Sequence, residues 1–269
     1  MDPSHGGRRE GLWAVAAASA LLPLFLGLTL LALLASLTPA ALWRHLASET
    51  ALRALGLTLR TTLLATLITV ALGTPLAYLL ARRRFPGRAA LDVLIDLPIT
   101  IPPVVAGVAL LLAFGRRGLL GRSLEGFGIS LPFTTAAVVM AQVFIASPFY
   151  VKAARSGFAA VDARLEAAAR TLGASPGRAF LTVTLPLAAP ALLAGVVLAW
   201  ARALSEFGAT IMFAGNLPGR TQTLTLAVMT AIESDVDTAV AVATLSLVLA
   251  AAALLAARLL ARRLEGARG

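Results

Sequence analysis

An all-α integral membrane bundle of about six transmembrane helices follows from the amino-acid sequence. The 269 residues are 59% hydrophobic, with mean hydropathy +0.87. Six apolar runs, approximately 12–37, 57–81, 91–114, 132–154, 188–213 and 236–260, are each long enough to cross a bilayer. A helix rising ~1.5 Å per residue needs roughly 20 apolar residues to span ~30 Å of hydrocarbon. Backbone groups in lipid must be bonded within their own segment, so runs of this length are helices and not strands. The charges fall mostly between the runs, and residues 1–269 read as a single membrane-spanning domain.

The first run follows Arg8 and Arg9, which resemble the basic start of a signal peptide. Its apolar stretch far exceeds the roughly 7–15 residues of a signal core, so an uncleaved anchor is expected. The segment TPAALWRHLASETALRAL (38–55) has helical spacing, and Trp43 suits a headgroup boundary; it reads as one interfacial helix. The second run leads into RRRFPGR, a tight basic turn that Pro86-Gly87 reverses.

The third run holds Pro98, Pro102 and Pro103, and each proline removes a backbone donor and crowds the preceding turn. A kinked helix is expected, with Thr100 in the middle of the break. Its freed carbonyls must face protein or water, which leaves both a packing kink and the lining of a polar pathway open. The following GRRGLLGRSLEGFGISL is glycine-rich and reads as irregular. After the fifth run, Asn216 to Gly219 form a turn, and the next stretch is too short to cross.

The net charge of +10 invites a nucleic-acid reading, which the positions of the charges exclude. With the N-terminus inside, Arg8, Arg9, Arg82, Arg83, Arg84, Arg88, Lys152, Arg155, Arg164, Arg170, Arg178, Arg258, Arg262, Arg263 and Arg268 fall on the inner side. Only Arg44, Arg53, Arg116, Arg117, Arg122 and Arg220 fall outside, while Arg60 and Arg202 lie within runs. This bias predicts that both termini are cytoplasmic. There is no cysteine, and the two histidines, His5 and His45, lie outside the runs, so neither a thiolate nucleophile nor a histidine metal centre is expected. No catalytic, cofactor-binding or metal residue is assigned.

One charged insert stands out between the fourth and fifth runs, within residues 155–187. In LEAAARTLGASPGRAFLTVTLP (165–186), capping signals place two short helices. Asp162 is a cap for the first, and Gly173 suits the left-handed position just past its end. Val161, Leu165, Ala168 and Leu172 then share one face. Ser175 followed by Pro176 starts the second helix, which is expected to end near Leu185, where Pro186 stops it.

This insert resembles the EAA loop of ABC-importer permeases: EAA, three residues, Gly, nine residues, Ile, one residue, Leu-Pro. Here Ala167-Ala168-Ala169 precede Gly173, and nine residues later come Val183, Thr184 and Leu185-Pro186. The glutamate position of the pattern holds Ala167, with Glu166 one residue earlier. Downstream, ARALSEFGAT with AGNLPGRTQTL is similar to the molybdate/tungstate/sulfate permease branch and looks most like its molybdate members. Sulfate members tend toward tyrosine and serine where this chain has Phe207 and Ala209.

The resemblance implies a type I ABC-importer permease fold in the bacterial inner membrane. It further implies a homodimer driven by two cytoplasmic ATP-binding subunits and loaded by an extracytoplasmic oxyanion-binding protein. No G-x-x-x-x-G-K-[ST] loop is present, so the chain supplies no ATP site of that kind. ATPase docking is carried over to Leu165, Glu166, Ala167, Ala168, Ala169, Leu172, Gly173, Ala174, Ser175 and Pro176. Binding-protein contact is carried over to Asn216, Arg220 and Gln222.

For the pathway of a doubly charged tetrahedral oxyanion, the candidates are Thr100, Gln142, Ser147, Arg202, Ser205, Glu206 and Thr210. Arg202 and Glu206 sit at i and i+4 in the fifth run, stacked on a helix face. They read either as a salt bridge steadying the bundle or as a gate in which the glutamate prevents tight capture. The neutral donors also serve as interhelical glue. Asp92 and Asp96 are read as favourable charges at a helix start, and Arg60 as an outer charge near the interface. Two other classes remain: an ion-coupled secondary transporter working alone, which would bury several ionisable groups, and a membrane enzyme, for which no nucleophile–base pair or zinc helix appears.

Overall fold

The computed structural model describes residues 4–266, with side chains placed at 19–256 and 259. The side chains of Arg8, Arg9, Arg258, Arg262, Arg263 and Arg268, counted above on the inner side, lie outside the described residues. Every described element is helical.

The first helix, α1 (Ser4–Ala35), turns by 75° into α2 (Pro39–Leu46). Thr38 caps α2 and Pro39 fits its first position, where a missing N–H costs nothing. Ser48 then caps α3 (Glu49–Arg82), its hydroxyl accepting from the Ala51 amide at 3.3 Å. The single interfacial helix expected over 38–55 is therefore two pieces. Extended backbone at Ser48 ends the first, and α3 begins eight residues before the apolar run does.

The largest departure is the third run. α4 (Arg88–Thr100) and α5 (Pro103–Phe114) meet at 119°, so 91–114 is a broken pair and not one kinked span. Ile101 precedes Pro102 and is held extended, as the residue before a proline is; Pro102 is extended too, and Pro103 opens α5. Twelve residues of α5 reach only about 18 Å. The loop beyond, expected to be irregular, holds the short α6 (Gly121–Gly126).

α7 (Thr135–Ala160) occupies the centre of the bundle, between α3 and α10 (Leu185–Leu204). Its neighbours present small residues. A Cβ at Gly73 would meet the Tyr150 ring at 2.8 Å, and one at Gly195 would meet the Ala153 methyl at 2.9 Å. Tetrahedral side chains of any size would push these helices apart, and small residues are what lets membrane helices pack closely. Elsewhere α3 bears Leu63, Leu64, Leu67 and Leu72 exposed, the surface of a lipid-facing helix.

Between α7 and α10 lie α8 (Ala163–Thr171) and α9 (Pro176–Ala179). α9 does not stop at Pro186 as expected. A π-turn over Phe180–Thr184 carries it directly into α10, and Pro186 sits in the first turn of that helix. Proline has no N–H to give to the carbonyl four residues back; the wider turn shifts the pairing so that the Leu185 amide bonds to the Phe180 carbonyl. The fifth run departs in the opposite sense. α10 ends at Leu204, and after a break at 205–207 the short α11 (Gly208–Ala214) packs on α5 and α7. Finally α12 (Leu224–Ile232), nine residues and too short to cross, packs on α13 (Val236–Gly266) and α3.

Four helical stretches are long and apolar enough to cross a membrane, and six if each bent pair counts as one crossing. The close seam between α5 and α11 gives a direct test. A Cβ at Gly107 would lie 2.6 Å from Met212 Cβ and 2.8 Å from the Ala209 carbonyl oxygen, whereas Gly56 has open space around it. Gly107→Ala is expected to lose about 1–3 kcal/mol by overpacking, and Gly56→Ala nothing, in denaturant unfolding of the detergent-solubilised chain.

Candidate functional site

The α8–α9 pair forms one end of the bundle and is built by three local signals. Asp162 Oδ1 accepts from the Arg164 amide at 2.9 Å and starts α8. Gly173, at φ +92°, takes the left-handed conformation that ends it, and its N–H donates to the Arg170 carbonyl at 3.0 Å. Ser175 Oγ then accepts from the Arg178 amide at 3.3 Å to start α9. The apolar stripe is split between two surroundings. Val161 is buried in the bundle, while Leu165 is 48% and Leu172 88% exposed, with Ala168 open between them. Ala167, Gly173, Ser175 and Pro176 are exposed, and Ala169 and Ala174 are half-buried.

Glu166 faces the other way. Its Oε1 accepts from the Tyr78 hydroxyl at 2.8 Å and its Oε2 from the Thr184 hydroxyl at 2.9 Å. One carboxylate thus ties α8 to the end of α3 and to the π-turn. Around it the rings of Tyr78, Phe158 and Phe180 meet edge-on or tilted at 4.9–5.9 Å, geometry that aromatic pairs favour. Nearby, Arg155 of α7 pairs with Asp92 at 2.6 Å and Lys152 with Asp96 at 3.0 Å. These two aspartates, read above as helix-start charges, are clamps between α4 and α7.

Among the pathway candidates, Arg202, Ser205 and Glu206 come together at the α10–α11 break. Arg202 Nη2 lies 3.5 Å from Glu206 Oε2, and its Nη1 donates to Ser205 Oγ at 3.2 Å. The pair forms, but across a helix end and not along a helix face. The Glu206 side chain is fully buried, and its Oε1 accepts from the Ala209 amide at 2.7 Å, capping α11. A carboxylate is favourable at a helix N-terminus, and an uncompensated buried one is costly. Arg202 supplies the nearest positive charge. Thr225 closes the break from α12, donating to the Glu206 carbonyl at 2.9 Å.

Gln142 on α7 and Thr210 on α11 are buried beside Ala141 and Ala209 of one core cluster. Gln142 Oε1 and Thr210 Oγ1 have no hydrogen-bond partner among the described residues. Thr100 and Ser147 do not join them. Thr100 is exposed at the end of α4 and donates to the Leu97 carbonyl, and Ser147 lines an apolar groove with Ile68, Leu110 and Phe144.

At the end opposite α8, only Arg220 of the three loop candidates is exposed. Gln222 is buried and donates to Thr230 at 3.3 Å, as half-buried Asn216 does at 2.8 Å. Arg53 and Arg60 line an open cavity of about 460 Å³ there, with Leu57 and Gly219.

The sequence reading missed the threonine face of α3. Thr58 accepts from the Leu224 amide at 2.8 Å, and Thr62 accepts from the Trp200 indole at 3.0 Å. The spacing of Thr58, Thr62, Thr66 and Thr69 on one helical stripe is the signal that marks it. Among the described residues no group of three His, Cys, Asp or Glu is placed to hold a metal.

Comparison with known proteins fits this arrangement. Residues 73–266 match the family described as "Binding-protein-dependent transport system inner membrane component". The molybdenum transport system permease protein ModB of Mycobacterium bovis is 46% identical over 209 residues, 78% of this chain and 79% of that protein. ModB of Escherichia coli (strain K12) is 46% identical over 179 residues, 66% and 78% of the two chains. In fold, a bacterial ABC transporter that imports the polysaccharide alginate aligns with TM-score 0.73 at 17% identity, over 96% of each chain. The inward-facing MetNI methionine ABC transporter aligns with TM-score 0.60 at 18% identity, over 85% of this chain and 99% of that one. The chain belongs to the binding-protein-dependent transport system inner membrane components, as a permease subunit of an ABC transporter and not an enzyme in its own right.

Proposed function

We propose that this chain forms, as a homodimer, the membrane pathway of an importer for molybdate or a chemically similar tetrahedral oxyanion. Two ATP-binding subunits drive it from the inner side, and an extracytoplasmic binding protein delivers the anion. The observation that carries this reading is the capped α8–α9 pair, with two leucines exposed at a charged end of the molecule. Leu165 and Leu172 share one exposed helix face away from the apolar runs, which supports a surface that another protein covers. The relatives named molybdenum permeases support the choice of anion.

Mechanically, closure of the ATPase pair would push α8 and α9, and the continuous helix from Pro176 to Leu204 would carry that push across the bundle. Alternating access then follows as rigid-body rocking between two states that ATP and the loaded binding protein bias differently. At the α10–α11 break, Arg202 attracts the dianion while Glu206 leaves the site close to neutral, so that the anion is not held. An anion bound too tightly would not leave.

Leu172→Asp is expected to reduce co-purified ATPase by about tenfold or more, the effect of losing an interface anchor, with unchanged chain stability because Leu172 touches solvent. Gly173→Pro is expected to abolish co-purification, since proline cannot adopt φ +92° and lacks the N–H that ends α8. Normal ATPase recovery with both variants would refute the docking role. Glu206→Gln retains an acceptor for the Ala209 amide and is expected to keep folded yield while slowing radiolabelled oxyanion uptake in proteoliposomes of the full transporter. Equal losses of yield and uptake would make the pair a structural salt bridge. Calorimetry of the cognate binding protein with molybdate, tungstate and sulfate decides the substrate.

A further inference from the structure

At the α8 end, the last turn of α3 and the flank of α8 border an open cavity of about 240 Å³ lined by Tyr78, Arg82, Arg83, Glu166, Ala167 and Arg170. Three arginines and one glutamate line it, an excess of two positive charges. The carboxylate does not neutralise them. Both Glu166 oxygens are already engaged by Tyr78 and Thr184, and no arginine comes within ion-pair distance of it among the described residues.

Arg82 is the unusual group. Its Nε and Nη2 are shut off from solvent, yet neither has a hydrogen-bond partner among the described residues. Leaving a buried donor unmade costs about 1–3 kcal/mol, and more when the group is charged. The Nε–H and Nη2–H edge of a guanidinium is a fixed fork that matches two oxygens of one anion, and the half-buried Arg82 side chain presents it to the cavity by turning out of its covered position. Arg83 from the end of α3 and Arg170 from α8 bring further donors to the same space. A tetrahedral group offers oxygens in all these directions; a planar carboxylate satisfies one fork only.

We propose that this cavity is an anion site for a phosphate-class group, a tetrahedral oxyanion held by Arg82 and bridged to Arg83 and Arg170. Two sources present that chemistry at the end of a membrane helix: the headgroup of an anionic phospholipid and a free inorganic oxyanion. Occupied, the site joins α3 to α8 through a third party and stiffens α8 against the bundle. Any effect on ATPase docking rests on the function proposed above; the binding itself does not.

The test uses the full chain in nanodiscs without ATPase, so that failure of docking and failure of this site are separate results. One arm uses phosphatidylcholine discs titrated with inorganic phosphate; the other compares phosphatidylcholine discs with discs containing phosphatidylglycerol. Hydrogen exchange of amides 163–171 is the readout. With ligand at ten times its Kd, exchange through opening of the site is expected to slow about tenfold, and less than twofold in Arg82→Gln. Arg170→Gln, on an exposed helix face, is a second variant that loses the response without risk to the bundle, and Arg116→Gln at the opposite end retains it. Slowing in the phosphate arm alone identifies a free oxyanion, and slowing with phosphatidylglycerol alone a lipid headgroup. Equal responses of wild type and both site variants overturn the proposal. So does protection that appears only when the ATPase subunit is added, which would make a partner's carboxylate the occupant.

Discussion

Side-chain size along three helix seams governs how closely α3, α7 and α10 approach, and the remaining structure is arranged around that approach. In lipid there is no hydrophobic drive pulling one apolar helix onto another, so dispersion contacts and a few polar bonds must hold the bundle. Gly73 against Tyr150 and Gly195 against Ala153 put backbone next to side chain with no spare volume. Two polar bonds are placed in the same seams, Thr62 to Trp200 and Thr74 to Tyr150, and a third ties Thr58 of α3 to the start of α12. None of these hydroxyls carries a charge into lipid. They fix register where packing alone would tolerate sliding.

Several charged groups work differently, at two places where helices end. At the α8 end, Asp92 and Asp96 hold α4 against α7, and Glu166 holds α8 against α3 and the π-turn. At the α10–α11 break, Glu206 serves both as a helix cap and as the partner of Arg202. A carboxylate with two duties joins the charge balance of the break to the cap of α11.

Features set by neighbouring residues were legible in the sequence. The apolar runs, the start and stop of α8 and the start of α9 depend on composition, on Asp162, on Gly173 and on the Ser175-Pro176 pair, all readable within a few positions. Features set by distant partners were not. Pro186 looked like a stop, because nothing in a local window signals that a π-turn will reroute the missing bond. The prolines near Thr100 announced a bend but not its 119° size, which depends on α4 and α5 packing against different parts of α7 and α11. Asp92 and Asp96 looked like dipole charges because Lys152 and Arg155 lie more than fifty residues away in sequence. Glu166 belonged to the motif-bearing helix, yet its partners Tyr78 and Thr184 come from two other elements.

The π-turn over Phe180–Thr184 also removes a joint. With α9 and α10 continuous from Pro176 to Leu204, there is no flexible linker to absorb a displacement at the exposed end. The 29 residues make a rod of about 40 Å, whose far tip is the Arg202–Glu206 break. A lever of that length converts a tilt of a few degrees at one end into ångströms of travel at the other, and twists it as well. The chain has thus placed the Arg202–Glu206 junction where such a lever moves most.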